Sequence, residues 1–146
     1  GQYGSEPFQI GGSASCPSVG GAPVSYSGAW ANPSESGWGF SVTAVSAAEA
    51  DAAYLFDSSG VARWLLGVTT APGAAVSIPL LQHRGFCPTC ALSSVTTASV
   101  GTLTRTYTNK ASGTATINAT WQQGVPGTWS RSNATQQKIT VDMPCQ

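Results

Sequence analysis

Hydrophobic and polar residues alternate along most of the chain from residue 24 onward, in short runs separated by turn-forming residues. In "WGFSVTAV" (38–45) and "TATINATW" (114–121), apolar residues occupy every second position, and mostly Gly, Ser, Thr or Asn lie between them. A period of two is typical of a half-buried β-strand, because successive side chains point to opposite faces. Both runs therefore predict strands with one face in a core.

The same pattern recurs along the chain and predicts a series of strands. In chain order the runs are "VSYSGAWA", "WGFSVTAV", "AAYLF", "VARWLLGV", "AVSIPLLQ", "SVGTLTRTYT" and "TATINATW", completed by "TWSR" and "KITVDM". Turn signals such as Asp57-Ser58-Ser59-Gly60 separate them. Pro79, inside the fifth run, indicates an edge strand or a bulge, because proline cannot donate to the hydrogen-bond ladder.

One stretch, "AVSAAEADAA" (44–53), resembles a helix in composition but lacks large apolar residues. We interpret it as a loop or one short turn between strands. No segment shows a helical period over eleven residues, so we expect an all-β fold.

About eight antiparallel strands with short links predict an up-and-down β-barrel, with a β-sandwich as the second choice. The order of hairpin after hairpin favours the barrel, since closure removes exposed sheet edges. Residues 1–23 are rich in Gly, Ser and Pro and are predicted to form an arm, and residues 24–146 are predicted to form one domain.

The composition narrows the classes of partner. Only 8% of the 146 residues are charged and the formal net charge is zero. We therefore expect no nucleic-acid partner, because phosphate binding needs clustered basic residues. We also expect no membrane insertion, since no apolar run approaches the roughly 20 residues of a membrane helix. A neutral, hydroxyl-rich surface is typical of exported proteins and fibre subunits, and it opposes self-association less than a charged surface does.

Four cysteines, Cys16, Cys87, Cys90 and Cys145, allow three disulfide pairings. The short separation of Cys87 and Cys90 favours a local bridge, which leaves Cys16 to pair with Cys145. An even number of cysteines favours an oxidising compartment, so we expect a secreted or cell-surface protein. The first residues, "GQYGSEPF", are typical of a mature, processed end.

The stretch "SGAWANPSESGWGFSV…AYLFDSSGVARWLLG" resembles a domain of exported bacterial proteins. The signature of that family runs S-G-x-W-x-N-P-x-E-S-G-W-G, followed by an aromatic strand, Y/F-D-x-x-G and a closing Trp. "GFCPTC" and the strands after it fit the later part, so the resemblance covers about residues 25–142. It implies the β fold and export, and no particular activity.

The first hairpin is also similar to the opening of avidin-like barrels, in which G-x-W-x-N precedes a turn. Gly28, Trp30 and Asn32 match that pattern. The similarity implies an avidin-like barrel and a role for Asn32 in binding a ligand. Trp30, Trp38 and Trp129 are the aromatic candidates beside it, because aromatic rings stack on sugars. The other aromatic residues are expected mostly in the core.

Glu35 is the most prominent candidate for acid–base catalysis. A glycoside hydrolase needs two carboxylates across a cleft, and Asp57, Glu49, Asp51 and Asp142 are the possible partners. The favoured interpretation is structural: Glu35 and Gly37 shape the turn after Trp30, and Asp57 binds the backbone of its own turn.

The single histidine, His83, precedes Cys87 and Cys90 in the spacing H-x3-C-x2-C. This spacing raises the hypotheses of a zinc site, with Cys16 or Cys145 as the fourth ligand, and of a redox pair. A structural disulfide is the favoured interpretation, so we expect no metal and no cofactor.

The sequence thus predicts an exported, non-catalytic β-domain that acts in surface binding or assembly. One version of this hypothesis is an extracellular filament subunit whose N-terminal arm contacts a neighbour. The alternative is a barrel that binds a small molecule or glycan. A hydrolase that uses Glu35 and Asp57 is a third hypothesis.

Overall fold

The computed structural model describes residues 16–19, 21–45, 47–85, 89, 95–142 and 145. The expected bridge between Cys87 and Cys90 lies outside these residues. All regular structure in the described part is β-strand, in the order β1 (Ser18–Val19), β2 (Ala22–Pro23), β3 (Gly28–Ala31), β4 (Gly39–Val45), β5 (Ala48–Phe56), β6 (Ala62–Thr69), β7 (Ala75–Arg84), β8 (Thr96–Asn109), β9 (Ser112–Thr120) and β10 (Thr128–Lys138). The same residues contain no helix of a length and hydropathy that would span a bilayer.

Eight strands, β3 to β10, close into an antiparallel barrel in which each strand pairs with its neighbours in sequence. The predicted up-and-down barrel is therefore confirmed. The ring closes where β10 pairs with β3, through Gln137↔Ala31 and Lys138↔Trp30. The short strands β1 and β2 form a separate two-stranded sheet within the residues assigned to the arm.

The barrel has two distinct ends. At one end of the barrel β3 begins and β10 ends, and we call it the terminal end. The same end carries the links β4–β5, β6–β7 and β8–β9. The links after β3, β5, β7 and β9 lie at the other, which we call the motif end because it carries the "NPSESG" corner. Cys16 and Cys145 form a disulfide that joins the two terminal segments. The sequence analysis predicted this bridge between Cys16 and Cys145, on the assumption that Cys87 pairs with Cys90.

Large side chains fill the barrel interior. Trp30 and Tyr26 both stack on Tyr107 with ring centroids 4.3 Å away, and Phe40 and Trp121 are also buried. The alternating apolar residues of β4 and β9 point inward as the sequence predicts. The interior is therefore a packed core rather than an open cup.

The stretch "AVSAAEADAA" was predicted to be a loop or turn, and this prediction is wrong. A short turn leads directly into β5 at Ala48, and the strand continues to Phe56. Glu49 and Asp51 point into the barrel, where they meet Arg105 of β8. The acidic residues occupy inward positions because a buried cation neutralises them, and local hydropathy does not reveal this.

The predicted strand "TWSR" is the first part of a longer strand, β10, which runs from Thr128 to Lys138. The predicted strand "KITVDM" is wrong beyond Lys138, since residues 139–142 are not in a strand. The register of β10 with β9 shifts between Arg131 and Ala134, where Asn133 has a φ of 50°. Beyond this bulge the inward positions change parity, so that Ala134 and Gln136 face the core. The run "SNATQQ" is almost entirely polar, so alternation of apolar and polar residues does not reveal this part of the strand.

Strands β6 and β7 form the least regular contact of the barrel. Among the described residues they pair at a single position, Leu66↔Leu81. The neighbouring residue Gly67 points inward, and a Cβ at this position would lie 2.4 Å from Cγ2 of Ile78 and 2.8 Å from the carbonyl oxygen of Pro79. The absence of a side chain at Gly67 is what allows β7 to cross β6 closely.

We therefore expect Gly67→Ala to destabilise the protein by at least about 2 kcal/mol, because the buried methyl would displace a backbone carbonyl and a core side chain. Gly73→Ala is the matched control, since a Cβ there meets nothing within 4 Å. Urea denaturation of both variants checks the prediction. Equal midpoints for the two variants would contradict it.

Candidate functional site

The first two candidate ligand-binding residues, Trp30 and Asn32, are engaged within the fold. Trp30 is 1% exposed, and its indole N–H donates to the carbonyl oxygen of Tyr26 at 3.0 Å. The Asn32 side-chain oxygen accepts a hydrogen bond from the backbone N–H of Ser34 at 2.9 Å. Asn32 thus caps its own turn, as asparagine often does at loop corners.

Glu35 lies at the centre of the corner at the motif end. One of its oxygens accepts the indole N–H of Trp38 at 3.0 Å and the Nε of Arg131 at 3.1 Å. Both hydrogen bonds lower the pKa of Glu35. Trp38 is buried against the edge of Trp129, with ring centroids 5.1 Å apart, and Trp129 is partly buried. Gly37 turns the chain with a φ of 98°.

Asp57 occupies the turn between β5 and β6. Its carboxylate accepts hydrogen bonds from the backbone N–H groups of Val61 and Ser59 and pairs with Arg63. These contacts, led by the hydrogen bond from Val61, lower the pKa of Asp57. Glu35 and Asp57 are thus both stabilised as carboxylates, whereas glycoside hydrolysis requires one carboxyl with a raised pKa as the acid.

The loop 121–127 covers the motif end of the barrel. The side-chain amide of Gln82 exchanges two hydrogen bonds with the backbone of Gln122, at 2.9 and 3.1 Å. On the other side, the hydroxyl of Ser58 donates to the carbonyl oxygen of Pro126 at 3.0 Å. The mouth in which an avidin-like barrel would hold its ligand is therefore bridged by protein.

A charged cluster is buried nearer the terminal end. Arg105 pairs with Glu49 through Nη2 and lies 3.6 Å from Asp51 through Nε, and all three side chains are fully buried. The guanidinium lies 4.0 Å from the centre of the Tyr107 ring. Burial raises the pKa of Asp51 to about 7 and lowers that of Arg105 to about 10. No substrate can reach these acids without unfolding of the barrel, so we assign them a structural role.

His83 lies on the outer surface of β7. Its Nδ1 is 3.1 Å from the hydroxyl of Thr97, and its ring stacks on Trp64 with centroids 5.7 Å apart. Across the ranges that the structure covers, no three potential metal-ligating side chains cluster. The other members of the H-x3-C-x2-C spacing, Cys87 and Cys90, lie outside the described residues.

The most distinctive surface feature is an apolar patch on the outside of β5 and β6, which we call the aromatic face. It consists of Tyr54, Phe56, Trp64, Leu66 and Val68. Tyr54 and Trp64 are directly opposite each other in the sheet and are 53% and 51% exposed, and Val68 is 61% exposed. These side chains add up to an exposed area on the order of 500 Å², which is large for a contiguous apolar patch on a monomer.

The aromatic face exists because the smaller face of β6 points inward. "ARWLLGV" carries apolar residues at both parities, and the structure places Leu65 and Gly67 in the core. Trp64, Leu66 and Val68 therefore face solvent. The sequence analysis expected most of the aromatic residues in the core, so it did not identify the patch. The sequence did contain one indication of the patch. A glycine, Gly67, alternates with the large apolar residues Leu66 and Val68, and the smaller residue is the one that fits inside the barrel.

The remainder of the outer wall differs sharply from the aromatic face. The outward positions of β8 and β9 carry mainly threonine, as at Thr102, Thr104, Thr106 and Thr114. Contacts such as Ser77 to Thr104, at 3.3 Å between hydroxyls, are typical of this surface. Among the described strands, the large exposed apolar side chains therefore lie on β5 and β6, and the others, Val61, Val95, Ile139 and Val141, lie outside the strands.

No protein-family model, curated protein or solved structure matches this chain. The functional evidence for this chain is therefore its own geometry and chemistry.

The raised pKa of Asp51 has a consequence for stability. Asp51 in the folded protein keeps a proton that the unfolded chain releases above about pH 4, so stability falls as pH rises from about 4 to 7, by at most about 4 kcal/mol. We expect the protein to melt at a lower temperature at pH 8 than at pH 5. Asp51→Asn, which removes this titration, should flatten the difference.

Asp142→Asn is the control for this measurement. Lys110 and Lys138 lower the pKa of Asp142, so its linkage lies below the tested range. Thermal unfolding followed by circular dichroism at pH 5 and pH 8 gives the comparison. A native protein that is more stable at pH 8, or an Asp51→Asn variant with the native slope, would refute the assignment.

Proposed function

We propose that this domain is an exported, non-catalytic β-barrel that assembles with other copies of itself through the aromatic face. The observation that carries the proposal is the exposure of Tyr54 and Trp64 opposite each other, with Val68 farther along β6, on a barrel whose β8 and β9 are outwardly rich in hydroxyl groups. An exposed apolar patch of this size is typical of a protein–protein contact.

The dimensions of the aromatic face support a contact between proteins. A stable interface buries about 800 Å² on each partner, of which roughly 60% is apolar. The aromatic face, with polar residues such as Ser41 at its edge, supplies an apolar area of about this size. Aromatic residues are also enriched at the centres of interfaces, where they contribute most of the binding energy.

The charge of the chain supports an identical partner. The formal net charge is zero, and charged residues make up 8% of the sequence. Two copies therefore approach each other without the long-range repulsion that keeps highly charged proteins monomeric.

Export is the second part of the proposal. The Cys16–Cys145 disulfide is consistent with an oxidising compartment. The resemblance of "SGAWANPSESGWG" to exported bacterial domains supports a secreted or cell-surface location. Disulfide closure of the terminal end would also help a small domain to survive outside the cell.

A glycan-binding function is the second candidate. The observation in its favour is the adjacent, half-exposed pair Tyr54 and Trp64, which offers rings for stacking on sugars. Saturable quenching of Trp fluorescence by an oligosaccharide, abolished in Trp64→Ser, would favour it. Binding inside the barrel has less support, because Trp30 is buried and the mouth is bridged. A hydrolase has the least support, since both Glu35 and Asp57 are held as carboxylates.

We expect the double variant Trp64→Ser/Leu66→Ser to weaken self-association at least tenfold, because it removes the apolar centre of the aromatic face. The matched control is Ile139→Ser, which removes a 70% exposed side chain outside the face. Sedimentation velocity over a concentration series measures both. Native protein that stays monomeric at all concentrations, or a double variant that associates like the control, would refute assembly through this face.

A further inference from the structure

The opening between β6 and β7 adjoins the aromatic face and has its own chemistry. Because the two strands pair only at Leu66↔Leu81, a crevice of about 540 Å³ remains toward the motif end. It is lined by Trp64, Leu66, His83, Arg84, Gly85 and Val95. The Trp64 and His83 rings stack across it and form its outer rim.

This opening has the form of a site for an extended peptide. β6 and β7 are neighbours in the closed barrel and the Trp64 and His83 rings stack across them, so an extended peptide would lie over the outer side of the two strands with alternate side chains in the hollow. Its walls are apolar at Trp64, Leu66 and Val95, and Arg84 adds a positive charge. None of the described residues that line the crevice is acidic. A matching peptide would carry apolar residues at every second position and a negative charge beside them.

The first fifteen residues of this chain contain one segment with these properties. Glu6, Phe8 and Ile10 alternate in "EPFQI", so they project to one side of an extended chain. Glu6 is the only charged residue among residues 1–15. Pro7 is compatible with an extended peptide that binds through its side chains, because its fixed φ suits an extended backbone and its missing N–H is not required.

We infer that segment 6–10 of one copy binds in extended form over the outer side of the β6–β7 opening of a second copy, with Phe8 and Ile10 against Trp64 and Leu66. This inference rests on the proposed function, because it supplies the partner of the aromatic face. Glu6 then lies near the positive charge of Arg84, which favours the complex electrostatically.

The positions of the two sites make the contact head-to-tail. The arm joins the barrel at Cys16, which is bound to Cys145 at the terminal end, whereas the opening faces the motif end. Ile10 and Cys16 are six positions apart, a distance of up to about 20 Å in an extended chain, which is enough to bridge two barrels in contact. When each copy gives its arm to the next copy in one direction, the contact generates an open filament, or a ring if the rotation closes; two copies that exchange arms reciprocally form a two-fold dimer instead.

Complementation of two full-length variants tests the inference. The arm variant Phe8→Ser/Ile10→Ser keeps the opening, and the face variant Trp64→Ser/Leu66→Ser keeps the arm. Each alone should associate at least tenfold more weakly than native protein. An equimolar mixture should form a heterodimer, because one intact arm meets one intact opening. Gln9→Ser, on the opposite side of the segment, is the control and should assemble normally. Circular dichroism melts of every variant confirm that each is folded.

The possible outcomes separate this inference from the proposed function. An arm variant that assembles like native protein, beside a face variant that does not, would overturn the inference and leave assembly through the aromatic face intact. A face variant that assembles normally would overturn both. Loss of assembly in both variants without a heterodimer in the mixture would also overturn the inference.

A cross-linking measurement distinguishes a second copy from the chain's own arm. A photoreactive benzophenone side chain replaces Phe8 in ¹⁵N-labelled protein, which is mixed with unlabelled native protein before irradiation. The inference predicts adducts between labelled arm peptides and unlabelled peptides of β6 or β7. Adducts confined to a single labelled chain would show that the arm binds its own barrel, and would contradict the inference.

Discussion

The buried ion pair between Arg105 and Glu49 determines which side chains of β5 and β6 face solvent. Because Glu49 and Asp51 must meet Arg105 inside the barrel, the alternate residues Tyr54 and Phe56 point outward. Strand β6 follows in register, with Trp64 opposite Tyr54. A slip of β5 by one residue would turn Glu49 and Asp51 out of the barrel and leave Arg105 in the core without a compensating charge. The same slip would bury the aromatic face. The internal ion pair and the external apolar patch are therefore two consequences of one register.

The function that we propose correspondingly lies on the outer wall rather than in the interior. Aromatic stacking on Tyr107 and the bridged mouth fill the volume that a ligand-binding barrel leaves open. The carboxylates that a hydrolase would use are either paired at turns or sealed in the core. What remains accessible is a hydroxyl-rich surface with one aromatic face and one incomplete strand contact, and both are properties of proteins that bind other chains.

Local sequence predicts those parts of the fold in which residues close together in the chain determine the structure. Strands β4 and β9 follow from strict alternation, and the barrel follows from hairpins in series. The start of β5 is not predictable locally, because Glu49 is acceptable in a core only through Arg105, 56 residues away. In β10 the bulge at Asn133 reverses the parity of the inward residues. The aromatic face escaped prediction because β6 has apolar residues on both faces, and the register with β5 together with packing around Gly67 decides between them.

The central claim is that the outer wall of β5 and β6, rather than the barrel interior, is where this protein binds its partner. Cryo-electron microscopy of the assembled native protein tests it most directly, because it shows which surface each copy presents to the next. The account predicts filaments or other oligomers in which Trp64 is buried between copies. Dispersed single barrels, or an assembly in which Trp64 remains exposed to solvent, would contradict it.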